Sequence, residues 1–211
     1  MVQLDLSSYL AALRAGELGS FPTDTVPALA ASPEASDRIY QIKQRSSTKP
    51  LILMAASLEQ LLPYVAGEEA EVAVWKGVAQ RYWPGALTLV LPASDRLPAA
   101  MNPMGTGSLG IRVPAHPLAR YILECSGPLA TTSVNKSGSP PLQTMAAVQA
   151  QFPQVVTLTA GAITEIYAEL AITPPDADLS QGSGQPSTVV AWQGQNWRVL
   201  RQGAVHLEIR S

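Results

Sequence analysis

The sequence predicts an α/β domain built on a mixed parallel and antiparallel sheet with helices flanking it. Helical and strand-like patterns alternate along the chain, as expected when helices cover a sheet. Hydrophobic residues make up 46% of the chain and charged residues 14%, which is ample apolar material for a packed core. The length of 211 residues fits a single sizeable domain, and no internal repeat divides it.

The elements follow in order. Residues 7–15 carry Leu10 and Leu13 on one face with Ser7 or Ser8 as the cap, a short amphipathic helix. Ser20-Phe21 leads as a short strand into Pro22. Ser32-Pro33 starts a helix with proline at its first position, and Ala35, Ile39 and Ile42 carry its apolar stripe to about Arg45. Leu51–Met54 suits a buried strand, and helical patterns return at 57–64 and 68–82 before Pro84-Gly85. Ala86–Leu91 and Ser108–Val113 are strand candidates on either side of a Pro/Gly/Met-rich loop at 93–107. A helix from Pro117 to Cys125 closes at Gly127, a left-handed cap. Leu129–Thr132 is a strand and 144–152 a helix. Val155–Leu158, Thr188–Trp192 and Trp197–Leu200 complete the strands, with a polar loop at 173–187.

Composition excludes several chemistries. The net charge of −2 argues against a protein that coats nucleic acid by bulk electrostatics, so any bound anion meets a local cluster of cations. Cys125 is the single cysteine, which removes intramolecular disulfides and multi-cysteine zinc sites. His116 precedes a helix-starting proline and reads as a cap or loop residue, and His206 lies in the tail. The N-terminus has no basic region followed by an apolar run, and no stretch of about 18 apolar residues occurs anywhere. No signal peptide, no membrane span and a cytoplasmic location are the expectations. The P-loop, dinucleotide, zincin and hydrolase-elbow motifs are all missing.

Polar residues gather in the loops, where function on a rigid sheet is expected. Lys43, Arg45 and Lys49 place three cations within seven residues, just before a buried strand. Cations also favour a helix C-terminus and stay solvated there, so spacing alone leaves phosphate binding and a solvated helix end about equal. Thr131 to Gly138 reads TTSVNKSG, a strand end whose hydroxyls and N–H groups suit an anion or an ordinary Ser/Asn turn. Phe21 to Pro27 reads FPTDTVP, in which Asp24 caps a helix, orients a side chain or helps hold a metal, capping being the commonest of these. Arg112 is a charge inside an apolar strand, either exposed at an edge or paired with an anion in a cleft.

Taken in order, FPTDTV, IYQIKQRSSTKPLIL, WPGALTLVL, LGIRVPAHPLARYIL, PLATTSVNKSG and PSTVVAW with VLRQGAV resemble the YrdC/TsaC family of threonylcarbamoyl-AMP synthases. Each motif is short, but six in the right order span about residues 10–205 of a single domain at 1–211. The resemblance implies a twisted α/β sheet around a large concave cleft. It implies synthesis of threonylcarbamoyl-AMP and pyrophosphate from L-threonine, bicarbonate and ATP, with Mg2+ on the phosphates, for modification of tRNA. By the same resemblance Lys43 and Arg45 are the catalytic cations and with Lys49 hold the phosphates. Ser133, Asn135 and Arg201 complete the nucleotide site, and Thr25, Arg112 and Ser187 take the threonine side. Other tRNA-modification proteins, and tRNA or other RNA, are the implied partners.

The chain departs from the family pattern at five places. Pro27-Ala28 stand where Tyr-Gly is usual, Ser46 where Pro is usual, Met54 where His is frequent, Val134 where Ala is usual, and Pro141 where a Ser often occurs. Those changes leave open a paralogue that binds nucleotide or RNA as a regulatory or accessory module.

Overall fold

The computed structural model describes residues 2–44, 46, 48–136, 138–173 and 182–207. Ten strands among them form one mixed sheet: β1 (Val2–Leu4), β2 (Gly19–Phe21), β3 (Ala28–Ala31), β4 (Ile52–Met54), β5 (Leu87–Pro92), β6 (Ser108–Arg112), β7 (Leu129–Ser133), β8 (Val156–Leu158), β9 (Thr188–Trp192) and β10 (Trp197–Arg201). Their order across the sheet is β1-β8-β2-β3-β7-β4-β6-β5-β9-β10. The β4/β6 and β5/β9 pairs are parallel, whereas β3/β7, β7/β4 and β5/β6 are antiparallel. The helices are α1 (Leu6–Arg14), α2 (Asp37–Lys43), α3 (Leu58–Leu61), α4 (Glu69–Tyr82), α5 (Pro117–Ser126), α6 (Met145–Gln151) and α7 (Ala160–Glu169).

Strand alternation divides the core into two layers. Leu87, Leu89 and Leu91 of β5, with Leu109 and Ile111 of β6 and Leu53 of β4, pack with Trp75 and Ala79 of α4 and Ile39 of α2. On the other face, Ala28, Ala30 and Met54 pack with Tyr9 and Leu13 of α1, Ile122 of α5 and Ile163 and Ile166 of α7. That second helical layer lies over the β1–β7 side of the sheet. The same face of β4, β6, β5 and β9 carries Ile52, Gly110, Arg112, Thr88, Val90 and Val189, and these residues, with Ser187 just before β9, line a cleft.

Several boundaries differ from the sequence reading. Asp5, not Ser7 or Ser8, caps α1: its carboxylate accepts from the Ser8 N–H at 2.8 Å and from both serine hydroxyls. Those three bonds lower the Asp5 pKa to about 2. The expected 33–45 helix is a single 3₁₀ turn at Pro33–Ala35 followed by α2, which stops at Lys43 because Gln44 turns left-handed at φ 49°. Three elements had no signal in the sequence reading: β1, α7 and β3. β3 reads ALAA, poor strand formers, and is held as a strand by antiparallel pairing to β2 and β7 on its two sides.

Candidate functional site

The cleft encloses about 530 Å³. Its floor is a continuous row of paired residues, Thr131–Ile52–Gly110–Val90, running across β7, β4, β6 and β5. Two residues along the strands in one direction lie Arg112 and Met54, which pair with each other, and Thr88, which pairs with Val189. Two residues in the opposite direction lie Ser108, Pro50 and Ser133. At a rise of about 3.3 Å per residue, each step is about 7 Å.

The Arg112 end is densely bonded. The Arg112 side chain is 2% exposed, and its Nη2 pairs with Asp24 Oδ2 at 2.8 Å. Its Nε donates to the Gly85 carbonyl at 2.9 Å and its Nη1 to Thr25 Oγ1 at 2.9 Å. Burial lowers the Arg112 pKa; Asp24 opposes that, and the nearby Arg201 adds to it. Asp24 therefore orients a side chain and caps no helix, which corrects the base-rate reading; its other oxygen accepts from the Ala115 N–H at 3.0 Å. Thr23 donates to the Val26 carbonyl at 2.7 Å, so the Thr25 hydroxyl, which accepts from Arg112, turns its own proton to Thr23 Oγ1 at 3.0 Å.

Ser187 is buried beside this pair, 2.8 Å from the Thr88 hydroxyl. Arg201 donates through Nε and Nη2 to the Ser187 carbonyl, at 3.1 and 2.8 Å. The β9/β10 register shifts between Val199 and Arg201, leaving Leu200 as the extra residue. Such a bulge turns consecutive side chains to one side, and both Leu200 and Arg201 line the cleft. The Thr188 hydroxyl accepts the N–H groups of Gly203 and Val205 at 3.0 and 3.1 Å, which fixes the turn after Arg201.

The opposite end is a turn organised by Asn135. Its Oδ1 accepts from Lys43 Nζ at 3.0 Å and from Ser133 Oγ at 2.7 Å. Its Nδ2 donates to the carbonyls of Lys136 and Ser139 at 2.9 and 2.7 Å. Lys43 is buried behind the turn and also donates to the Ser133 carbonyl. Its burial answers the solvated-end alternative for this one cation, whereas Lys49 is exposed beside Pro50 at the cleft edge. Arg45 lies outside the described residues.

The β2–β3 loop joins the two ends. Its Pro27 carbonyl accepts from the Val134 N–H, while Asp24 and Thr25 hold Arg112. Residues 182–184 press on the same loop, with Ser183 and Gly184 N–H groups bonded to the carbonyls of Asp24 and Thr25. A Cβ on Gly182 would stand 2.1 Å from the Thr25 carbonyl oxygen, so only glycine passes there.

Of the residues singled out from sequence, Thr25, Arg112, Ser133, Asn135, Ser187 and Arg201 line this one cleft. Missed were the Asp24–Arg112 pair, Thr88 and Gly110. The strand alternation LTLVLP and SLGIR held the signal for the last two, since Leu and Ile face the core at one parity and the other parity carries Thr, Val, Ser, Gly and Arg.

The model of the Sua5/YciO/YrdC family, described as "Telomere recombination", matches residues 11–203. The chain belongs to the Sua5/YciO/YrdC family. Among its curated relatives, the threonylcarbamoyl-AMP synthase of Chromohalobacter salexigens is 36% identical over 75% of this chain and 85% of its own length. The threonylcarbamoyl-AMP synthase of Pyrococcus abyssi is 42% identical over 61% of this chain and 38% of its own length. The chain thus spans well under half of that longer relative. The solved structure of P. abyssi Sua5 complexed with L-threonine superposes with a TM-score of 0.77 at 29% identity, covering 95% of this chain and 55% of that one. The concave mixed-sheet fold expected of a Sua5/YciO/YrdC member is the fold observed. Among the described residues no helix is long and apolar enough to cross a membrane.

Proposed function

We propose that the chain is an L-threonylcarbamoyladenylate synthase, an enzyme that makes threonylcarbamoyl-AMP and pyrophosphate from L-threonine, bicarbonate and ATP. The observation that carries this reading is one cleft with two polar ends about 14 Å apart along the strands, Arg112 at one and the Ser133 turn at the other. The relatives named threonylcarbamoyl-AMP synthase, and the related Sua5 solved with L-threonine, support it.

In this reading Lys43, Arg45 and Lys49 supply the positive charge for the triphosphate, with Lys43 acting from behind the Ser133–Asn135 turn and Lys49 from the edge. Ser133 and Asn135 complete the nucleotide side at that turn, and Arg201, bonded to Ser187 at the other end, meets the nucleotide from across the cleft. Arg112 and Ser187 receive the amino acid's carboxylate and polar groups, and Thr25 serves by holding Arg112. The amine of threonine adds to carbon dioxide derived from bicarbonate and gives an N-carbamate with loss of a proton. A carbamate oxygen attacks the α-phosphorus, a P–O bond forms there, and the bond to the bridging oxygen breaks to release pyrophosphate. Positioning and charge neutralisation carry such a step, with little demand for an acid or base. Mg2+ belongs to the same proposal as a counter-ion for the departing pyrophosphate. No three His, Cys, Asp or Glu side chains gather among the described residues, so the phosphate oxygens are its natural donors here. A cytoplasmic location, tRNA or another RNA as the eventual acceptor, and other tRNA-modification proteins as partners follow from this product.

Calorimetric titration tests the assignment of the two ends. ATP and L-threonine should each bind, and Arg45→Ala or Lys49→Ala should weaken ATP by about tenfold, the worth of one charge-assisted contact, while leaving threonine unchanged. Failure to bind ATP would overturn the reading. ATP binding with no response to threonine would favour the nucleotide-binding paralogue instead.

A further inference from the structure

The middle of the cleft floor holds a side-chain-free gap. Gly110 lies between Ile52 and Val90 in the floor row, and it is the one glycine among the described cleft-lining residues. It is not needed there for backbone conformation, because its φ is outside the left-handed region. Nor is it needed for packing. A Cβ at Gly110 would meet Ile52 Cγ1 at 3.4 Å, Thr88 Cγ2 at 3.5 Å and Val90 Cγ2 at 3.9 Å, which are ordinary van der Waals distances. Gly110 is itself buried, and all three neighbours line the cleft, so the added atom would fill the space between their side chains at its floor. Glycine in a strand interior is destabilising relative to alanine, and close approach of a ligand is a recurrent reason to keep one.

The position of the gap identifies what approaches. Arg112 is two residues further along β6 and Ser108 two residues back, so Gly110 is midway between the two polar ends. We propose that Gly110 is a positioning residue whose missing side chain leaves room for the reacting ends of the two substrates, the threonine carbamate and the α-phosphate, to meet. The inference rests on the synthase reading above. A Cβ stands about 1.5 Å above its Cα, enough to hold two reactants apart without occupying either one's own seat. Displacements near 1 Å cost on the order of a hundredfold in rate.

The test is Gly110→Ala in the full chain, with three readouts: thermal stability, binding of each ligand separately, and threonine-dependent pyrophosphate release. The expected result is a folded variant that binds L-threonine and a non-hydrolysable ATP analogue within about threefold of the parent. Its kcat should be lower by about a hundredfold and its KM values little changed. Turnover within twofold of the parent would overturn the proposal. So would loss of one ligand's binding alone, which would put Gly110 in that ligand's seat, or failure to fold, which would mean the Cβ does not reach open cleft. Absence of product from the parent protein is a different failure and would remove the synthase reading itself.

Discussion

The two ends of the cleft are built on different principles. The Arg112 end rests on strands, and its guanidinium is fixed by a carboxylate, a carbonyl and a hydroxyl while almost fully shielded from water. The Ser133 end is a turn in which one amide, Asn135, makes four bonds and one lysine backs it. Rigidity at the first end comes from a charge that cannot be left unpaired. Order at the second comes from the hydrogen bonds of one amide. Three go to neutral groups and are worth about 1 kcal/mol net each; the fourth, worth more, comes from the buried Lys43 ammonium, which has no carboxylate in that turn. One end is thereby suited to a small ligand of fixed shape, and the other to a long, solvated polyanion.

The largest effect should come from breaking the first end. Asp24→Ala leaves Arg112 buried without its counter-charge and should cost about 3–5 kcal/mol of stability, measured by denaturant unfolding. A loss below about 1 kcal/mol would mean the pair behaves as a surface one. At the second end, Asn135→Ala should cost about 2–3 kcal/mol of stability, water replacing part of the lost bonding, yet weaken ATP at least tenfold, with threonine binding unaffected. Equal weakening of both ligands would erase the distinction between the ends.

Gly182→Ala falls between these in kind, because it pushes the 182–184 segment off the Asp24–Thr25 backbone. It should raise the KM for threonine severalfold while ATP affinity stays near the parent value; a fall in ATP affinity of equal size would show the loop serving both ends.

The smallest effect concerns His116, buried beside Asp24 with its Nδ1 unbonded. Burial lowers its pKa below 6.5, and Asp24 only partly opposes this. The unfolded chain therefore takes up a proton near pH 6.5 that the folded chain resists. Stability should be full above that pH and fall as the pH drops towards the folded-state pKa. His116→Gln should flatten the slope of melting temperature between pH 7 and about 5.5. An unchanged slope would place the acid sensitivity elsewhere.

Much of this architecture was legible in the sequence, and the exceptions have physical causes. The apolar runs of β5 and β6 and the proline at the start of α5 are local signals, and each lies within about one residue of where it was expected. Gly127 does end α5, with a positive φ of 79° but an extended ψ of −174° rather than the expected left-handed cap. β3 was not legible because ALAA owes its strand form to its two neighbours rather than to its own preferences. The pairing of Asp24 with Arg112 joins residues far apart in the chain, so local base rates pointed to a helix cap. Lys43 gave the sign of a cation site but not its burial, because whether a lysine snorkels outward or turns under a neighbouring loop is decided by tertiary packing.

Two ends that hold two substrates of one reaction should couple them in the purified protein. Incubation with ATP, bicarbonate and labelled L-threonine should give pyrophosphate release that depends on threonine and bicarbonate, with the label recovered in an adenylate. ATP bound with no threonine-dependent pyrophosphate and no labelled adenylate would contradict it.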